Sequence, residues 1–190
     1  MVTISSDLSF IAAAISSGQV VAVPTDTVYG ICASIDHPEA IGKIYGVKAR
    51  PAGLALPVLV ADRAAAEELV GPMPPAVLDL VRRGWPGALT VVVPCNAAVA
   101  TAVGGNGTLG VRVPDSDLLR ALLRLTGPLA TTSCNRHGED PAFTAEEAAV
   151  VLGDDGLVLR GPSGQGVAST VIEVRGEELI VLRRGGFDLG

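Results

Sequence analysis

The sequence predicts a mixed α/β fold: a single domain over residues 1–190, built as a twisted mixed sheet flanked by helices. Three observations lead there. Apolar residues make up 48% of the 190-residue chain, enough to bury a good core. Their spacing switches repeatedly between a helical period and short strand-like runs. Those runs outnumber what a simple βαβ alternation would supply, most of all after residue 85, so antiparallel pairs are expected beside parallel ones.

Taken in order, Ser5 or Ser6 is placed to cap a helix through Phe10, Ile11 and Ile15 that stops at Gly18. Val20 to Val23 reads as a buried strand ending at Pro24. From Pro38 through Ile41, Ile44 and Tyr45 the pattern is a short helix with proline in its first turn. Leu56 to Val60 is a second strand, and Asp62 caps the alanine-rich helix after it. Pro75 to Arg83 forms another helix closed by Gly84. Leu89 to Val93 and Leu109 to Val113 are β-rich runs bounded by Gly and Pro. Asp115 caps a helix carrying Leu118, Leu119, Leu122 and Leu123 on one apolar face. Leu129 to Thr132 is a strand running straight into Ser133, and Ala145 to Leu152 is helical. Thr170 to Val174 with Leu179 to Leu182 form a hairpin around Gly176.

Composition excludes several function classes. The net charge is -6, with no basic run or basic helix face, so RNA binding is expected to be weak or indirect. Three cysteines, Cys32, Cys95 and Cys134, stand far apart without CxxC spacing, and His37 and His137 have no ligand partner nearby. A disulfide framework or fixed protein ligands for a metal are therefore not expected. The first ten residues lack a basic leader, and no apolar run approaches ~18 residues, so a cytoplasmic location without membrane contact is expected. The chain has neither GxxxxGK[ST] nor GxGxxG after a strand, so phosphates would not sit on a P-loop or a Rossmann turn.

Three polar patches carry the chemistry: PTDTVYG (24–30), Lys48-Ala49-Arg50-Pro51, and Ser133-Cys134-Asn135. Pro51 biases Arg50 towards an extended backbone, which would turn Lys48 and Arg50 to the same side and onto one anion. A solvated loop edge is the plainer reading of that pair. Ser133 and Asn135 share the same spacing and either face one pocket or simply serve a turn. Thr25, Asp26 and Thr27 fit a ligand loop, a helix cap or an Asx turn. Arg112, alternating with apolar strand residues, faces water or reaches an anion. Arg183 and Arg184 end the last strand, where a solvated end is usual. Cys134 is expected to pack inward as a small apolar residue. The glycine-rich run from Gly161 to Gly166 is explained equally well by a surface hairpin.

Taken together, these patches resemble the YrdC-domain family, the threonylcarbamoyl-AMP synthases, in its short single-domain form. The matching segments are PTDTVYG (24–30), KAR-P (48–51), PGALT (86–90), TLGVRVP (108–114), SCN (133–135), STVIEV (169–174) and VLRRGG (181–186), collinear over nearly the whole chain. The resemblance implies a sheet around a large, positively lined cavity. It implies synthesis of L-threonylcarbamoyladenylate and pyrophosphate from L-threonine, bicarbonate or CO2, and ATP with Mg²⁺. The product would pass to a tRNA threonylcarbamoyl transferase complex. It further implies Lys48 and Arg50 as catalytic, phosphate-neutralising residues, with Thr108, Asn135 and Arg183 also on ATP. Thr25, Arg112, Ser133 and Ser169 would hold threonine, Arg112 taking its carboxylate, and Tyr29 would line the same cavity. A YrdC-like nucleotide- or RNA-binding paralogue is the alternative, and a carbamoyl-adenylate enzyme using carbamoyl phosphate a third reading.

Overall fold

The structure is a computed structural model and describes residues 1–48, 55–136, 138–164, 166–176 and 178–190. In chain order the elements are β1 (Thr3–Ser5), α1 (Leu8–Ser16), β2 (Val21–Pro24), β3 (Tyr29–Ser34), α2 (Pro38–Lys48), β4 (Val58–Leu59), α3 (Arg63–Val70) and α4 (Pro75–Gly84). They continue with β5 (Leu89–Pro94), α5 (Ala97–Ala102), β6 (Thr108–Arg112), α6 (Asp117–Thr126), β7 (Leu129–Ser133), α7 (Ala145–Leu152), β8 (Leu157–Leu159), β9 (Thr170–Arg175) and β10 (Glu178–Arg183).

The strands form one mixed sheet in the order β1-β8-β2-β3-β7-β4-β6-β5-β9-β10. Parallel pairs (β1 with β8, β2 with β8, β4 with β6, β5 with β9) are mixed with antiparallel ones, as the strand-rich pattern predicts. The β9–β10 hairpin forms as expected around Gly176.

Two apolar clusters hold the layers together. One joins Ile11 and Ile15 of α1 and Leu119 and Leu122 of α6 to Val21, Val23, Leu129 and Leu159 of the sheet. The other packs Val77, Leu80 and Val81 of α4 under Leu89, Val91, Leu109, Val111 and Ile172. Each fully buried Val or Leu contributes about 1.5–3 kcal/mol of apolar transfer, so these stripes fix which strand face is interior. Because strand side chains alternate, the opposite face of β5, β6 and β9 presents Thr90, Val92, Thr108, Gly110, Arg112, Val171 and Glu173 to a cavity.

Several helix ends differ from expectation by a residue or two. Asp7, not Ser5 or Ser6, caps α1, accepting from Ser9 N (2.9 Å) and Phe10 N (3.1 Å). Ser5 is drawn instead into strand β1, paired with Leu159. Ser116, not Asp115, caps α6 through Leu119 N (3.3 Å). Asp62 caps α3 as expected, accepting from Ala65 N at 3.0 Å. Gly84 lies inside α4, whose C-cap is Trp85. Strands β1, β3 and β8 and helix α5 lie outside the elements read from the sequence. No helix among the described residues is long and apolar enough to cross a membrane.

Candidate active site

Sheet order brings the polar patches together. β3 runs antiparallel to β7 with Gly30 opposite Ser133, so the PTDTVYG and SCN segments become neighbours. The two are tied by Cys134 N–H donating to Tyr29 O at 2.8 Å. Beside them opens a cavity of about 770 Å³, within the usual size range of small-molecule sites.

At one end stands Lys48. It is the last residue of helix α2, not part of an extended loop, so the same-side argument drawn from Pro51 does not apply to it. Arg50 lies outside the described residues. Lys48 is 8% exposed, and its ammonium reaches β7, donating to Ser133 O (2.9 Å), to Ser133 Oγ (3.2 Å) and to Asn135 Oδ1. Ser133 Oγ in turn donates to Asn135 Oδ1 at 2.7 Å, and Asn135 Nδ2 donates to Glu139 O at 2.6 Å. Spacing by two residues does turn the hydroxyl and amide the same way, and both meet the cation.

Arg112 stands on the cavity floor, 7% exposed. Its guanidinium donates to Gly87 O (2.9 Å), Thr27 Oγ1 (3.4 Å) and Asp26 Oδ2 (2.7 Å). Ser169 is buried beside it, with Oγ 2.9 Å from Thr90 Oγ1. Arg183 donates from Nε to Ser169 O and from Nη2 to Ser169 Oγ, both at 3.0 Å. It is thus folded against the cavity wall, not a solvated strand end. Burial first, and then the charge of nearby Arg112, hold its guanidinium below its ordinary value. Thr108 lines the same cavity from β6.

Two expected ligand residues have structural employment. Thr25 lines the cavity, but its hydroxyl donates to Val28 O (2.7 Å) and accepts from Thr27 N (3.0 Å) and Val28 N (3.2 Å). The hydroxyl thus serves the local turn, while the residue faces the cavity. Tyr29 is not among the described cavity-lining residues: it is fully buried, and its hydroxyl donates to Gly161 O at 2.9 Å and Leu159 O at 3.3 Å. Its phenol is pushed up, chiefly by burial.

Cys134 is fully buried, its thiol driven up to about 12 mainly by burial, which makes it a packing residue rather than a nucleophile. Sequence reasoning missed Thr90, a lone hydroxyl among Leu89, Val91 and Val92 that alternation could have marked. It also missed Glu173, which lines the cavity while paired with Arg175 at 2.7 Å.

The result is an α/β domain whose mixed sheet floors a cavity lined by the cationic side chains of Lys48, Arg112 and Arg183, chemistry suited to an anion. The family model for the Sua5/YciO/YrdC domain, described as telomere recombination, matches residues 13–185, and the chain belongs to that family. The threonylcarbamoyl-AMP synthase of Bacillus subtilis (strain 168) is 40% identical over 180 residues, 92% of this chain and 52% of that protein. The chain therefore spans about half the length of that relative. A Vibrio campbellii threonylcarbamoyl-AMP synthase is 34% identical, covering 90% of this chain and 95% of its own length. The solved structure of P. abyssi Sua5 complexed with L-threonine superposes with a TM-score of 0.88 at 30% identity, over 98% of this chain and 58% of that one.

Proposed function

We propose that this chain is an L-threonylcarbamoyladenylate synthase, a nucleotidyltransferase acting on L-threonine, bicarbonate or CO2, and ATP. One observation carries the reading: groups suited to the two substrates interleave in a single cavity. Lys48, with Asn135, holds Ser133, and Arg183 holds Ser169. Such mixing suits a product in which amino acid and nucleotide become one molecule. The P. abyssi relative complexed with L-threonine supports the amino-acid half.

In this reading the threonine amine adds to CO2 and releases a proton, giving a carbamate. A carbamate oxygen then attacks the α-phosphorus of ATP, and the α–β bridging oxygen leaves with pyrophosphate. The charged phosphates face Lys48, with Arg50, Asn135, Thr108 and Arg183 as further contacts. The threonine carboxylate faces Arg112, with its hydroxyl towards Ser169 or Ser133. The protein's contribution is positioning and charge stabilisation, with no covalent intermediate. The cavity wall at Leu56, Pro57, Leu59 and Val92 is apolar and would keep water from the mixed anhydride. Among the described lining residues Glu173 is the one carboxylate. This donor set fits a magnesium ion held mainly by nucleotide phosphates and water, where it would neutralise charge. The adenylate is an activated acyl donor for a separate transferase acting on tRNA, work of the cytoplasm.

The test is pyrophosphate release from ATP measured with threonine and bicarbonate supplied together and singly. Release that needs both is expected. Release independent of threonine refutes the reading, and salt-dependent RNA binding without release points to the binding paralogue. Turnover that requires carbamoyl phosphate points to the carbamoyl-adenylate enzyme.

A further inference from the structure

Asp26, Gly164 and Gly166 have no part in the chemistry above, yet Asp26 binds Arg112 and the two glycines bond its neighbours Thr25 and Thr27. Asp26 is not among the described lining residues of the cavity; it grips Arg112 from behind, Oδ2 to Nη2 at 2.7 Å, with side chains 12% and 8% exposed. Its other oxygen, Oδ1, is buried and has no hydrogen-bond partner among the described residues. Among the described residues Arg112 is thus the group that answers this carboxylate's charge.

The backbone around Asp26 is strapped in place. Gly164 N–H donates to Thr25 O at 2.9 Å and Gly166 N–H to Thr27 O at 3.0 Å, one bond on each side of Asp26. A Cβ on Gly164 would overlap the Asp26 carbonyl oxygen, so the close approach requires glycine there. Tyr29 anchors the first residue of the strap, its hydroxyl donating to Gly161 O. Of the readings left open for the glycine-rich run, a plain surface hairpin does not fit Gly164 and Gly166, which clamp the backbone of residues 25–27.

A guanidinium has five N–H groups in a fixed fork. In Arg112 three of them go to Gly87 O, Thr27 Oγ1 and Asp26 Oδ2, which fixes the plane and leaves two without a partner among the described residues. Arg183 shares the neighbourhood through Ser169, so a carboxylate behind Arg112 also offsets the repulsion between two cations at one end of the cavity.

We propose that Asp26, held by the backbone bonds from Gly164 and Gly166 on either side of it, is the positioning residue that orients the Arg112 fork towards the amino-acid carboxylate. This rests on the threonine site of the proposed function and adds the group that aims it.

The experiment compares wild type with Asp26→Asn, which keeps shape and removes charge, and with Gly164→Ala, which keeps Asp26 and displaces the strap. Steady-state kinetics with threonine and ATP varied separately should show threonine KM raised about tenfold or more, as expected for losing one charge-assisted hydrogen bond. ATP KM should stay within about twofold. Asp26→Glu should restore part of the loss. A second readout needs no substrate: the resonance of the Arg112 Nη2–H that Asp26 Oδ2 accepts should be resolved and slow to exchange in free wild type, and broadened in both variants. An equal rise in both KM values, or unchanged threonine KM with a persistent resonance, overturns the positioning role. Absence of threonine-dependent turnover in wild type would instead count against the proposed function. A resonance unchanged by Asp26→Asn would still refute the hold on Arg112.

Discussion

Replacing Lys48 with alanine separates its two employments. The ammonium donates to three oxygens of Ser133 and Asn135 from a site 8% exposed. Hydrogen bonds from a charged group contribute about 1.5–3 kcal/mol each. Desolvating an ammonium costs several kcal/mol, so the two nearly offset. Lys48→Ala should therefore change stability by about 1 kcal/mol, or roughly 2–4 °C in Tm for a chain of this size. Turnover should fall far more, by about 10²–10³, the usual loss when one preorganised charge-stabilising donor is removed. Lys48→Arg should not restore it, because a planar fork does not replace a point donor wedged between Ser133 and Asn135. Combining Lys48→Ala with Asn135→Ala should cost less than the sum of the two, since they act on one network. The assay is continuous pyrophosphate release, with thermal denaturation alongside. Turnover within twofold of wild type, or a collapse in Tm with normal activity per folded molecule, would refute this reasoning.

Other consequences are open to the same treatment. Tyr29→Phe removes a buried hydroxyl that bonds Gly161 and Leu159; it should cost about 1–2 kcal/mol, seen as a lower Tm, with ATP KM unchanged. Ser169→Ala removes the hydroxyl that bonds both Thr90 and Arg183, and should raise threonine KM about tenfold in initial-rate measurements. Burial lifts the Cys32 and Cys134 thiols from 9.0 to about 12. A raised folded value means their stabilising contribution is complete below about pH 9 and is lost as pH rises through about 12. Chemical denaturation should therefore show stability declining across that window, while both thiols resist alkylation in the native protein at pH 8.

The legible part of this fold was local. Asp62 as a cap, the Thr170–Val174 strand and the leucine face of α6 follow from spacing and side-chain chemistry alone. Three-residue strands such as Leu157–Leu159 carry too few residues to show a period, and their partners supply the evidence for them. The site residues stood out one by one as polar groups among apolar runs. Their convergence did not, because Gly30 meets Ser133 only through the sheet order, and Lys48 reaches Asn135 from a helix end. For Asp26 the sequence leaves a ligand loop, a helix cap and an Asx turn open, since a carboxylate among threonines gives no hint of an arginine 86 residues away. The glycines of residues 161–166 were undervalued for the same reason: the need for glycine at Gly164 comes from a backbone distant in sequence.

The central claim is that carbamate and nucleotide react inside one cavity, and bond connectivity tests it most directly. With ¹³C-bicarbonate, threonine and ATP at single-turnover concentrations, the enzyme should yield a carbonyl carbon coupled to the adenylate phosphorus in NMR spectra, alongside pyrophosphate. Cleavage of ATP with no carbon–phosphorus coupling, with all three substrates present, would contradict it.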